Sequence, residues 1–466
     1  MNTKLAAEKR LPESKVIMFA MGTFTAAIFF SLVNSYSNYY ATDIAHVDPG
    51  IYGTANFIVR LLLVVAVPLM GVLVQNGRSR LGKYRMWIFY CMPIVSVCAV
   101  LCFTKVSGTP IFLALFYSLA NAIASGLIGM CGNSQLSLMT VMASNDDDYR
   151  RLSTRRSQFQ DISKIIFSAS FLPLAILISG GGDKPNAKGF FWVALIIAIL
   201  CFIGYMLTAY AGKDYDIYEY GDKVEKRRKR KSLYSLNAKE MFDSVVKNKP
   251  LIIMLFVETL KFTAFMIFIS TMAYYFQYIL QDFSKITPIM TIASISSLLS
   301  SLVAPLILKQ LGRKNAMSLA MFCYALGALM PRVLPPNVNI FGLGFVLIYF
   351  GMSLATCSAP IMFAESADYF EHKAGLKAQG FIMSLFVFPV QIGIALSGGI
   401  VNWLLDAMGY EAGAALTAAQ AVSMQNLILL LPGIMFVAAL VLTLLYPLTG
   451  DRVEKIRAEL AARQTA

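Results

Sequence analysis

The segment from Arg60 to Trp87 constrains the chain more than any other. An apolar run ending in Val67-Pro68-Leu69-Met70-Gly71 leads into Arg78-Ser79-Arg80-Leu81-Gly82-Lys83-Tyr84-Arg85, and a new apolar run starts at Met86. Two hydrophobic segments of spanning length joined by a compact basic turn predict a helical hairpin across a bilayer, with the turn on the cytoplasmic side. Composition agrees, because only 14% of the 466 residues are charged, about half the usual fraction in a soluble domain. A formal net charge of +14 would suit a nucleic-acid binder. The Lys and Arg fall almost entirely in short connections on one side of the predicted topology, so positive-inside orientation accounts for them and nucleic acid is not expected as a partner. The seven cysteines, among them Cys98, Cys131 and Cys357, form no CxxC pair. They read as small core residues, and neither metal nor cofactor is expected.

The pattern predicts an all-α membrane protein of twelve transmembrane helices in two six-helix halves, 1–212 and 249–466, joined by a basic cytoplasmic linker at 213–248. The spans fall at 16–41, 51–76, 86–105, 110–142, from near 156, and 189–212. They resume at 250–279, 286–309, 315–331, 339–369, 378–406 and 424–447. Lys4, Lys9, Arg10 and Lys15 precede the first span, and Arg452, Lys455 and Arg457 follow the last, which places both termini in the cytoplasm. The first apolar run continues at full spanning length, so no cleavable signal peptide is expected. Lys226 to Lys231 form an unbroken basic run, read as a linker touching anionic lipid headgroups, with a short amphipathic helix over 236–246. Lys309, Arg313 and Lys314 repeat the basic turn in the second half, the internal repeat expected of a transporter whose site lies near mid-membrane.

Pro68-x-x-Gly71 followed by Arg78-Ser79-Arg80-x-Gly82-Lys83-x-Arg85-x-Trp87 resembles the glycoside-pentoside-hexuronide:cation symporters, the melibiose permease family of the major facilitator superfamily. Asp368-Tyr369-x-Glu371-x-Lys373-x-Gly375-x-Lys377 matches the family element that closes the cytoplasmic side of the second half. Tyr39-Tyr40-x-Thr42-Asp43 and Arg150-Arg151-Leu152 fit as well. The resemblance implies a major facilitator fold and alternating-access transport of a sugar, glycoside or hexuronide, in a bacterial-type plasma membrane. It implies a cytoplasmic gate made by Arg78, Arg80, Lys83, Arg85, Arg156, Asp368, Glu371 and Lys373.

The departures from the family pattern bear on coupling. Arg60 is retained eight residues ahead of Pro68, but the two carboxylate positions of the second helix fall on Leu63 and Val67. The first-helix carboxylate falls on Ala27, the fourth-helix acid used in sugar recognition on Gly132, and the eleventh-helix lysine on Gln391. All five are neutral. No Asp or Glu occurs from Ile17 to Thr42 or from Ile51 to Leu73, so a shifted register does not restore a sodium site. Arg60 then needs another partner: a different anion, backbone carbonyls, water or substrate.

Glu258 and Lys261 lie roughly 12 and 16 Å into the seventh helix at ~1.5 Å per residue, and a spacing of three puts them on one face. Two readings stand: a self-neutralising structural pair, or replacements for the lost charges, as a proton site or a clamp on an anionic substrate. Asp161 and Lys164 make a similar pair nearer the cytoplasm. Asn133, Gln135, Gln158 and Gln391 suit sugar hydroxyls or helix bridging alike, and Tyr39, Tyr40, Tyr274 and Tyr275 suit ring stacking or an interfacial belt. The expected partners are thus a small carbohydrate solute, H+ and the lipid bilayer. Uniport or proton coupling is expected rather than sodium coupling. Two rival functions are an amphiphile transporter and a non-transporting sensor. No nucleophile and base at workable spacing points to an enzyme.

Overall fold

The computed structural model describes residues 11–465 apart from 77–78, 144–145, 183, 217–243, 376–381 and 384. Arg78, the Lys226–Lys231 run and most of the proposed 236–246 helix therefore lie outside the described residues. Every long apolar run is helical: α1 Glu13–Ile44, α2 Pro49–Asn76, α3 Arg85–Leu101, α4 Pro110–Met142, α5 Asp146–Ile178 and α6 Ala187–Ala211. These are followed by α7 Lys249–Ile279, α8 Ile286–Val333, α9 Val338–Ala374, α10 Phe388–Ala407, α11 Ala418–Leu444 and the tail helix α12 Gly450–Thr465. Among the described residues nine helices are long and apolar enough to cross a membrane, and two shorter apolar ones are α3 and the start of α2.

The eighth and ninth predicted spans are two helices that meet at a sharp kink at Gly312, φ +76°, within the segment labelled α8. Glycine occupies that left-handed conformation without a Cβ penalty, so the basic turn here needs no loop. With α8 crossing twice, α1 to α11 supply twelve crossings. The last turns of α1 and α7 and the middle of α11 widen into π-helical turns at Tyr40–Ile44, Tyr275–Ile279 and Asn426–Leu430, local distortions that hydrophobic periodicity does not reveal.

Two compact units result. The first comprises residues 1–220 with 270–291 and 402–416; the second comprises 221–269, 292–401 and 417–466. In the first, α1 packs on α5 and α6, α4 on α2 and α3, and α3 on α6. Small residues set the close approaches: a Cβ at Gly204 would lie 2.3 Å from Thr25 Oγ1, and Gly22 N–H donates to Thr208 Oγ1 at 3.0 Å. In the second, Gly327 of α8 meets Gly344 of α9, where a Cβ would come within 2.5 Å of the facing carbonyl. Tyr324 of α8 stacks on Phe436 of α11 at 4.6 Å.

Candidate functional site

In the first unit one buried cation, Arg60, meets no carboxylate among the described residues. Arg60 of α2 is 8% exposed. Its Nε donates to Asn56 Oδ1, one turn earlier, and its Nη2 donates to Asn121 Oδ1 of α4, both at 2.9 Å. Asn121 in turn donates to Ser37 Oγ of α1 at 3.0 Å, and Ser125 donates to Asn121. Two amide oxygens aligned on a guanidinium satisfy its donors but leave its charge uncancelled. Asn56 and Asn121 carry no charge, so sequence reasoning passed over them; the spacing of four between Asn56 and Arg60 was the one local signal, and Asn121 is 61 residues away. Leu63 is half-buried one turn along α2, and its side chain offers no oxygen.

Toward the end of α1 a second polar cluster ties it to residues 270–291 and 402–416 of the same unit. Tyr278 and Tyr410 hydroxyls each donate to Asp43 Oδ1 at 2.7 Å. Asn38 accepts at Oδ1 from Asn402 at 2.7 Å and donates to Tyr274 OH at 3.1 Å, while Thr42 Oγ1 lies 2.6 Å from the same hydroxyl. Tyr39 donates to Gln277. Asp43 thus mirrors Arg60, a carboxylate held by neutral groups. Tyr39, Tyr40, Tyr274 and Tyr275 are all buried, and Tyr39 packs edge-on against Tyr274 at 5.7 Å. Tyr40 sits among Phe103, Tyr117 and Phe190.

In the second unit Glu258 and Lys261 are 0% and 3% exposed, with Lys261 Nζ 2.6 Å from both carboxylate oxygens. The ammonium also lies 4.6 Å from the Phe262 ring centre. This is a complete internal ion pair, dry and self-neutral.

The remaining predicted polar residues are dispersed. Gln135 bridges α4 to α1: its Oε1 accepts from Thr23 at 2.9 Å and its Nε2 donates to Phe19 O at 2.6 Å. Asn133, two residues earlier, is exposed on another face, Gln158 is exposed and accepts from Arg155, and Gln391 is half-buried. Asp161 and Lys164 pair at 3.1 Å. At Gly132 an added Cβ would meet nothing among the described residues nearer than Tyr205 OH, at 4.0 Å. Arg156 of α5, expected in the gate, keeps a buried Nε that has no hydrogen-bond partner among the described residues.

The basic turn and the Asp368–Lys373 element are held by residues that the motif reading missed. Asp216, just past α6, accepts from the backbone N–H groups of Lys83, Tyr84 and Arg85 at 3.0, 2.9 and 2.9 Å. A carboxylate at the start of α3 meets its orphan donors and its positive dipole end. Gly82, at φ +103°, gives Asp216 room, since a Cβ there would lie 2.4 Å from the carboxylate. Arg85 is buried and donates to Ala209 O at 2.6 Å, whereas Arg80 is exposed and Lys83 half-buried. Arg151 and Arg155 converge on Glu13 at the start of α1. In the second unit Asp368 accepts from Arg457 of α12 at 2.8 Å, His372 meets Glu459 at 2.5 Å, and Arg313 pairs with Glu365 at 2.7 Å. Lys373 donates to Lys247 O at 3.4 Å, and Glu371 caps the end of α9 through its backbone carbonyl to Gly375 N–H.

Residues 18–450 match the family described as MFS/sugar transport protein. The isoprimeverose transporter of Lactiplantibacillus pentosus is 25% identical over 414 residues, covering 88% of this chain and 83% of that protein. The putative glycoside/cation symporter YagG of Escherichia coli is 22% identical, covering 92% and 90%. Among solved structures, a D-xylose-proton symporter superposes with TM-score 0.63 at 14% identity, covering 92% of this chain and 96% of that one. The nucleoside transporter NupG superposes with TM-score 0.62 at 17% identity over 93% and 100%. Likeness at such identities establishes the fold.

Proposed function

This chain belongs to the MFS/sugar transport protein family, and we propose that within it the chain carries a sugar, glycoside or hexuronide across the membrane by alternating access, without a sodium site. The observations that support the sodium-free reading are Leu63 and Val67 at the two carboxylate positions of the second helix and the neutral amide oxygens of Asn56 and Asn121 that hold Arg60. A hard cation requires several oxygens and a compensating negative charge, and α2 supplies Leu63 and Val67 at those positions. The family is one of membrane transporters, not enzymes, and the chain is an integral multi-pass membrane protein.

The coupling group, in this reading, is Glu258. Protonating its carboxylate cancels one member of a dry pair and frees the Lys261 ammonium to meet a substrate oxygen; releasing the proton restores the pair. An uncoupled carrier keeps the pair intact throughout the cycle. The Asp43 cluster is the closed outer gate, and its hydrogen bonds must break for the outer side to open. The basic turn and the Asp368–Glu371 element close the cytoplasmic side. The basic connections support a plasma membrane location with both termini in the cytoplasm and two six-helix halves joined through the 213–248 linker.

Thermal stability of the purified protein against monosaccharides, glycosides and uronides, with and without Na+ and at two pH values, tests this. A ligand that binds only the folded state raises the melting temperature, and a coupled ion strengthens the shift. The expected result is a sugar-specific shift indifferent to Na+. A sugar shift that requires Na+ refutes the sodium-free reading, and no shift with any sugar refutes the substrate class in favour of an amphiphile carrier or a sensor.

A further inference from the structure

At the end of the first unit that carries Asp43, α2, α4 and α10 leave a groove of about 600 Å³. Ile58 of α2, Ile111 and Leu115 of α4 and Trp403 of α10 wall it. All four are exposed, which on a membrane-spanning surface means facing hydrocarbon. Ile58 lies about 13 Å along α2 from Pro49, so the apolar wall runs well into one leaflet. The rim is different. Among the described residues Asp48 and Asp406 are its charged lining residues, and both are acidic.

Local structure fixes this rim. Asp48 Oδ1 accepts from Ile51 N–H at 2.9 Å, which caps α2. Asp406 lies over Gly50, where a Cβ would come within 2.5 Å of its Oδ2. The back wall is equally fixed: Trp403 Nε1 donates to Thr54 Oγ1 at 3.0 Å, and its ring packs on Phe57 at 5.3 Å.

We propose that this groove is a binding site for a phospholipid whose headgroup carries a primary ammonium. Its acyl chain lies along Ile58, Ile111 and Leu115, and its ammonium sits between Asp48 and Asp406. The occupant is a lipid because the groove opens sideways along apolar residues at spanning depth. The headgroup is an ammonium because the rim is doubly negative, and a primary ammonium brings three hydrogen-bond donors. A choline headgroup brings charge without donors, and an anionic headgroup is repelled. Because the walls come from both α2 and the outer end of α10, a bound lipid favours the arrangement in which Asp406 rests on Gly50.

Delipidated protein in detergent, titrated with phosphatidylethanolamine, phosphatidylcholine and phosphatidylglycerol of matched chains, tests the site by native mass spectrometry and by melting temperature. Wild type should retain phosphatidylethanolamine at least tenfold more tightly than the other two, and the double variant Asp48→Asn/Asp406→Asn should lose that preference. Leu115→Trp, which fills the groove, should lose the tightly held lipid. Melting temperatures without lipid separate lost binding from lost folding. Equal retention of the three lipids by wild type, or an unchanged preference in the double variant, would overturn the site. Stabilisation by free ethanolamine equal to that by the lipid would overturn the lipid as occupant.

Discussion

Arg60 in α2 and the Glu258–Lys261 pair in α7 are both charges kept out of water, and they are stabilised in opposite ways. Arg60 is held by dipoles, with two asparagine oxygens at 2.9 Å and no carboxylate. Lys261 is held by a full counter-charge, with both Glu258 oxygens at 2.6 Å. Dipoles satisfy hydrogen bonds while leaving a field that draws anions and repels cations. A counter-charge cancels the field and leaves nothing to sense until a proton or ligand divides the pair. Under the proposed function, α2 keeps an uncancelled positive charge at Arg60, and the group whose charge changes is Glu258 in the other unit.

The comparison breaks most sharply at the pair. Glu258→Gln leaves a dry ammonium without its counter-charge and should cost about 3–5 kcal/mol, as should Lys261→Met for the carboxylate. Combining the two should recover most of that stability. Denaturant unfolding in detergent checks this, and full transport by both single variants would end the coupling role of Glu258.

Arg60→Met should cost less, about 1–3 kcal/mol, because it strands two amide oxygens and no charge. A loss as large as that of Glu258→Gln would mean that Arg60 has an ionic partner after all. Capping of α3 gives a third test, independent of any buried cation. Asp216→Ala strands three backbone donors and should cost about 2 kcal/mol, the upper end for a cap. The same melts measure it.

Asp43→Asn bears on conformation more than on stability. Neutralising the acceptor of two charge-assisted hydrogen bonds, each of about 1.5–3 kcal/mol, should raise labelling of a cysteine placed behind the cluster by tenfold or more, and unchanged labelling would remove Asp43 from the gate. The smallest effect belongs at the surface. Lys15 beside Asp214 holds that carboxyl below the usual aspartate range. Its contribution is present above the ordinary pKa and is lost as pH falls through the lowered one. Asp214→Asn should therefore match wild type in acid, and any small gap in melting temperature should open only above that range.

Twelve crossings were legible because span length and basic turns act on every segment alike. Gly312 was not, because a glycine with φ +76° inside a helical run carries no mark of which conformation it adopts. Of the charged groups, Glu258 and Lys261 were legible from their spacing, since three residues on a helix fix neighbouring side chains without tertiary knowledge. Asn56, Asn121, Asp216 and Glu13 were not, because their partners are 61 to 142 residues distant or, for Asn56, because a neutral amide one turn from Arg60 gives no charge signal. Gln135 suited a sugar hydroxyl or a helix bridge alike in the sequence, and in the structure it bridges α4 to α1 through Thr23 and the Phe19 carbonyl.

The most direct test of the central claim is accumulation of a sugar identified by the stability panel, in proteoliposomes given either an inward Na+ gradient or an inward H+ gradient. The account predicts no concentration above equilibrium with Na+ alone, and accumulation with H+ that Glu258→Gln abolishes. Accumulation driven by Na+ in the absence of a proton gradient would contradict it, because α2 would then bind a cation without the carboxylates that such a site requires.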